Sequence, residues 1–146
     1  MTIQELYQNI NGDYDQAVRV MRVDKLIDKH IRRFPGNGVV DKVLEAGESL
    51  TEDAAGGADT AGGTDMDGGA DTTVHATELF EAAHAMKGVC ANLGLTVLAD
   101  AASELTEEFR PGNERKLSDA EVKSRIENIR EIYTRTVEGI RRYEEA

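Results

Sequence analysis

Residues 79–95 read LFEAAHAMKGVCANLGL, and the spacing of their apolar side chains decides the fold. Turned through about 100° per residue, the stretch sorts into two helical faces. Leu79, Ala82, Met86, Val89, Cys90 and Leu93 gather opposite His84 in one apolar stripe, which requires a core to pack against. Thr77, Phe80, Glu81, His84, Lys87, Gly88 and Ala91 form a mixed face directed to solvent or a partner. Glycine inside a helix costs about 1 kcal/mol relative to alanine, so Gly88, one turn beyond the histidine, needs an explanation.

Downstream, Leu93-Gly94 stops the helix in the manner of a C-terminal glycine. A further helix is predicted from Thr96 to Phe109, with Leu98, Ala101, Ala102, Leu105 and Phe109 on one face and Pro111-Gly112 closing it. The connection between these two helices is short, so they pack antiparallel. Ser118-Asp119-Ala120-Glu121 is a capping box. It opens the longest periodic segment in the chain: Val122, Ile126, Ile129, Tyr133, either Thr136 or Val137, Ile140 and Tyr143.

Upstream, Thr2 and Glu5 form a capping box for a short helix carrying Leu6, Tyr7 and Ile10, which Asn11-Gly12 interrupts. Asp13 caps a second helix expected to run unbroken to about Phe34, with Ala17, Val20, Val23, Ile27, Ile31 and Phe34 inward. Its Arg19, Arg22, Lys25, Lys29 and Arg33 read as a solvated basic face. Pro35-Gly36-Asn37-Gly38 is a turn. Its Gly-x-Gly lacks the third glycine and the preceding strand of a nucleotide loop. Val39 to about Leu50 is a third helical piece, either separate or a continuation of the second after a kink. The pattern resumes at about Thr73.

Between them, AGGADT, AGGTDM and DGGADT repeat a hexapeptide over 55–72, and the segment from Thr51 to Thr72 holds six acidic residues and no Lys or Arg. Such a composition buries little apolar surface. Residues 1–146 therefore read as a single helical domain interrupted by a flexible Gly/Asp/Thr-rich acidic insert at about 51–73. No strand-type alternation of useful length occurs. The predicted class is all-α, an up-down antiparallel four-helix bundle with an extra short N-terminal helix.

The net charge of −11 speaks against nucleic acid as a partner. No apolar run reaches the roughly 18 to 20 residues of a membrane span, and the N-terminus has no basic region followed by an apolar one. A cytoplasmic monomer without membrane contact is expected. The single cysteine, Cys90, falls on the apolar stripe and reads as a core thiol.

His30, His75 and His84 are the three histidines. His75 and His84, nine residues apart, point to opposite sides of one helix and cannot share a metal. Glu81-Ala82-Ala83-His84 matches the Glu-x-x-His of di-iron bundles, but no second copy exists and His84 lies opposite the core stripe. A nucleophilic role suits His84 better, because imidazole offers an attacking nitrogen near neutral pH. Lys87, one turn away, can neutralise the oxygens of a phosphoryl group. Gly88 leaves room for another protein, and Phe80, Glu81 and Ala91 supply contact surface around it.

The run His84-x-x-Lys87-Gly88 followed by Leu93-Gly94 resembles the H-x-x-K-G-x-x-x-x-L-G signature of histidine-containing phosphotransfer (HPt) domains. The resemblance is clearest from Leu79 to Glu108. It implies a bundle whose exposed histidine, matched by His84, takes a phosphoryl group from the aspartyl phosphate of one receiver domain and passes it to another receiver's aspartate. It also implies assistance from Lys87, clearance at Gly88, no kinase activity and no cofactor of its own, Mg2+ being carried by the receiver. The implied partners are receiver domains of hybrid histidine kinases and response regulators. Many members hold the other ring nitrogen with a Gln or Glu on the following helix. The matching position here is Thr106, with Glu107 beside it, and either is a candidate to orient the imidazole. The rival readings are a helical adaptor that docks receivers without carrying phosphate and a metal-binding bundle.

Overall fold

The computed structural model describes residues 1–59 and 65–145, with side-chain surroundings described for 1–51 and 74–145. Among the described residues there are seven α-helices and no strands: α1 (Ile3–Asn9), α2 (Tyr14–Met21), α3 (Asp24–Arg33), α4 (Val39–Asp59), α5 (Asp65–Asn92), α6 (Thr96–Glu108) and α7 (Asp119–Glu145). A 3-10 turn, Phe34–Gly36, follows α3.

Local chemistry sets the helix starts. Thr2 Oγ1 accepts from the Glu5 amide at 3.1 Å and Asp13 Oδ1 from that of Gln16 at 3.0 Å, each taking up an amide that a first helical turn leaves unpaired. At α7 the capping box is reciprocal. Ser118 Oγ accepts from the Glu121 amide at 3.2 Å, and the Ser118 amide donates to Glu121 Oε1 at 3.5 Å. Glu108 organises the connection before it, its Oε2 accepting from the amides of Lys116 and Leu117 at 2.6 and 2.5 Å.

The region from Asp13 to Phe34 departs from the single helix expected there. It forms two helices, broken at Arg22, whose φ of 73° is outside the right-handed helical range. The break changes the facing of the residues around it. Ala17, Ile27, Ile31 and Phe34 are buried as expected, whereas Val20 and Val23 are 43% and 51% exposed. Periodicity alone does not reveal this corner, because Arg22 is neither glycine nor proline. The basic side chains of Arg19, Arg22, Lys25, Lys29 and Arg33 are exposed to solvent. The piece starting at Val39 is a separate helix, α4, and does not continue its predecessor.

The backbone of α4 continues to Asp59 and that of α5 begins at Asp65, beyond the limits of about Leu50 and Thr73 read from composition. The flexible insert expected at 51–73 rests on residues 60–64 and on side chains that lie outside the described residues.

In the core, α4 packs against α5 and α7, and α6 packs against the same two helices. Of the N-terminal helices, α1 and α3 lie against α7 and α2 against α5. Leu50, Leu79, Met86, Leu98, Leu105 and Ile126 are among the fully buried side chains. Each contributes about 1.5–3 kcal/mol by leaving water. Gly47 lets α4 approach α7, since a β-carbon there would run into the side chain of Ile126. An ion pair between Arg130 and Glu48 ties the same two helices at the surface. Of the alternatives open on α7, Thr136 is the buried one, its hydroxyl donating to the Ile132 carbonyl at 2.8 Å.

Candidate functional site

α5 is the helix that carries the site, and its inner face is sharper than the wheel suggested. Leu79, Ala83, Met86, Cys90 and Leu93 are buried, while Ala82 and Val89 are only half-buried at its borders. The buried positions step by four and three residues, the seam of two closely packed helices. Ala83 belongs to this seam because a methyl group allows close approach to a neighbouring helix. Cys90 lies within it. Burial pushes its thiol up from 9.0 to about 12, so it is an inert core group.

The opposite face matches the sequence reading: Thr77, Glu81, His84 and Gly88 are exposed, and Phe80, Lys87 and Ala91 are half-buried. The Phe80 and His84 rings lie one helical turn apart and stack, with centroids 5.9 Å apart and planes inclined by 16°. Gly88 has no steric reason inside the protein, because a β-carbon built there meets no atom within 4 Å. In the other α-helical glycines with described side-chain surroundings, Gly47 and Gly139, the β-carbon would collide with Ile126 and Ile10.

Leu93 and Gly94 serve a different purpose. The Gly94 amide donates to the Ala91 carbonyl at 3.1 Å and the Leu95 amide to that of Cys90 at 2.8 Å, the paired bonds of a left-handed helix stop. Gly94 has a φ of 72°, and a β-carbon on it would strike the carbonyl of Asp13. Its own carbonyl accepts from the Asp13 amide at 2.7 Å. The two halves of the motif thus divide their tasks. Leu93-Gly94 locks the N-terminal segment to the end of α5, while His84, Lys87 and Gly88 look outward.

On α6, Thr106 is fully buried and its hydroxyl donates to the Ala102 carbonyl at 2.8 Å. Glu107 is exposed, and its carboxylate accepts two bonds from Arg110 at 3.3 and 2.7 Å. That hydrogen bonding first, then the charge of Arg110 and, more weakly, that of Lys87, hold the Glu107 carboxyl below the usual carboxylate range. Among the described residues neither Thr106 nor Glu107 bonds to the His84 ring.

Arg110 was not singled out by the sequence reading. Its guanidinium lies over the Phe80 ring at 5.8 Å from the centroid. The available signal was Glu107 and Arg110 at i,i+3 spacing, at the end of a helix that Pro111 stops. His30 is exposed on α3, and His75 lies 3.7 Å from the Glu78 carboxylate. Among the described residues no group of three or more His, Cys, Asp or Glu side chains converges as a metal site. None of their helices is long and apolar enough to cross a membrane.

The α5 surface thus presents an exposed imidazole stacked on Phe80, with Lys87 and the open Gly88 about one turn beyond it and Arg110 over the Phe80 ring. A comparison with protein families matches the Hpt domain over residues 43–135, from within α4 into α7, which is more than half of the chain and includes the whole of this face. No curated protein and no solved structure gave a match.

Proposed function

From the chain's membership of the Hpt domain family, we propose that it is a phosphorelay intermediate whose phosphoacceptor is His84. Hpt domains are phosphocarrier modules of two-component phosphorelays, interact with receiver domains and are not kinases. In our reading α4 to α7 form the family's up-down antiparallel four-helix bundle, with α1 to α3 as an N-terminal addition. The packing of α4 and α6 each between α5 and α7, and the tight turn joining α5 to α6, support it.

The unprotonated outward ring nitrogen of His84 attacks the phosphorus of a receiver's aspartyl phosphate. A nitrogen–phosphorus bond forms as the bond from phosphorus to the aspartate oxygen breaks, and the carboxylate leaves as its anion. The other ring nitrogen keeps its proton throughout. Transfer to a second receiver runs these steps in reverse. Lys87, three residues on, balances charge on the phosphoryl oxygens, and Phe80, Glu81 and Ala91 form the docking surface around the ring. The chain itself needs no cofactor for this; Mg2+ belongs to the receiver, where it offsets the phosphoryl charge. The protein acts in the cytoplasm as a monomer.

The observation that carries the reading is the empty space over Gly88, one turn from an exposed histidine. A helix-weakening residue with no internal purpose makes sense where another molecule must come close. The test is incubation with phosphorylated receiver domains, followed by a search for acid-labile, base-stable phosphate on the protein. Wild type is expected to be labelled and His84→Gln to remain blank. Label undiminished in His84→Gln, or none on wild type with any cognate receiver, would overturn the proposal.

A further inference from the structure

An exposed histidine on a helix rotates about two side-chain bonds, and transfer is fast only when its attacking nitrogen is held along the line of the incoming phosphorus. Something must bias that rotation. The two candidate groups on α6 are occupied: the Thr106 hydroxyl is buried and bonded to its own helix, and the Glu107 carboxylate is engaged by Arg110. What does touch the imidazole is Phe80, whose ring lies nearly parallel to it. Phe80 is in turn held from just beyond the C-terminal end of α6, where the Arg110 guanidinium sits over its ring and is anchored by Glu107 on the helix. The separations, 5.9 Å between the rings and 5.8 Å from guanidinium to ring, are within the ranges in which such contacts are attractive.

We propose that Phe80 is the positioning residue for His84, orienting the imidazole by stacking rather than by a hydrogen bond, with the Glu107–Arg110 pair fixing Phe80 in place. The inference rests on His84 being the phosphoacceptor. It gives Phe80 a task besides docking. A contact used only for docking changes the receiver concentration needed for half-maximal transfer, whereas an orienting contact changes the rate once receiver is saturating. The array joins two helices, so the orientation of the reactive ring depends on the packing of α5 against α6.

The experiment compares wild type, Phe80→Leu, Phe80→Tyr and Arg110→Met in single-turnover transfer from a phosphorylated receiver, and records the ring-proton chemical shifts of His84 by NMR. Phe80→Leu preserves helix propensity and apolar character, and circular dichroism checks that each variant is folded. The expected result is a saturating rate about three- to tenfold lower in Phe80→Leu, the scale that an aromatic contact supplies. Loss of the upfield ring-current shift on His84 should accompany it. Phe80→Tyr, which keeps the stack, should retain both the rate and the shift. Arg110→Met should lower the rate in the same direction. A saturating rate in Phe80→Leu equal to wild type, an unchanged His84 shift, or a Phe80→Tyr rate as low as that of Phe80→Leu would overturn the stacking role. An unaltered rate in Arg110→Met would remove Arg110 from it. Wild type that accepts no phosphate at all would instead overturn the carrier reading on which the inference stands.

Discussion

The hydroxyl of Tyr7 donates to the carbonyl of Leu93 at 2.5 Å, joining residues 86 apart in the sequence. Leu93 immediately follows the last residue of α5, so this bond fastens α1 to the end of the helix that carries His84. Both partners are buried, and the Tyr7 ring also meets Tyr14 edge-on with centroids 5.8 Å apart. Replacing Tyr7 by Phe keeps the ring and leaves the Leu93 carbonyl short of a donor. The expected loss is about 1–2 kcal/mol of stability, read as a lower urea midpoint with unchanged slope. A midpoint equal to that of wild type would mean that water takes the place of the hydroxyl.

Stability is expected to fall at alkaline pH. Burial raises the Tyr7 phenol above its ordinary 10.0 and the Cys90 thiol from 9.0 to about 12. Above the ordinary values the unfolded chain has lost protons that the folded protein retains, so it binds fewer protons and stability declines with rising pH. Below pH 9 neither group contributes a slope. The decline begins with Cys90 and steepens above pH 10 as Tyr7 joins. Urea midpoints measured from pH 8 to 11 check this, and the stability deficit of Cys90→Ala relative to wild type should shrink across that range. A deficit that stays constant would contradict the assignment to the thiol.

Alanine at two helical glycines should have effects of opposite sign. Gly88→Ala adds a methyl group where no atom lies within 4 Å, and should raise stability by roughly 0.5–1 kcal/mol. Gly47→Ala forces a methyl group into Ile126 and should lower it by about 1–3 kcal/mol. Gly88→Gln, with its longer side chain pointing outward, should leave the thermal midpoint near wild type while blocking transfer from a phosphorylated receiver. Unimpeded transfer in Gly88→Gln would deny the glycine its clearance role.

The corner between α2 and α3 holds local strain. Arg22 has φ 73° and ψ −35°, and the Val23 amide donates to the Met21 carbonyl across it at 2.9 Å, a tight turn that residues with a β-carbon seldom adopt. Its side chain is exposed. Arg22→Gly should therefore gain about 0.5–1 kcal/mol, the relief of strain outweighing the entropy of a freer unfolded chain. A lower denaturation midpoint in this variant would show that the arginine side chain contributes more than its backbone costs.

Helices α5, α6 and α7 were legible in the sequence because their apolar side chains recur at helical spacing and their ends carry Ser118, Gly94 and Pro111, residues that stop or start helices for local reasons. The outward face of His84, Lys87 and Gly88 was legible for the same reason. The break at Arg22 was not, since no local propensity marks it; it leaves Ala17 and Ile27 of the expected stripe buried and turns Val20 and Val23 out to solvent. The resemblance to HPt domains named Thr106 and Glu107 as candidates to orient the imidazole. Their spacing could not reveal that one hydroxyl is turned onto its own helix and that the other carboxylate is occupied by Arg110.

The sequence by itself determined which residues face outward around His84, because that depends only on the rotation of the chain about one helix axis. The tertiary structure alone decided what those residues meet. The stacking of Phe80 under Arg110, the closeness of Gly47 to Ile126 and the fit of Gly94 against Asp13 each depend on two elements brought together by burial of apolar surface, and no spacing within one element encodes the distance between two.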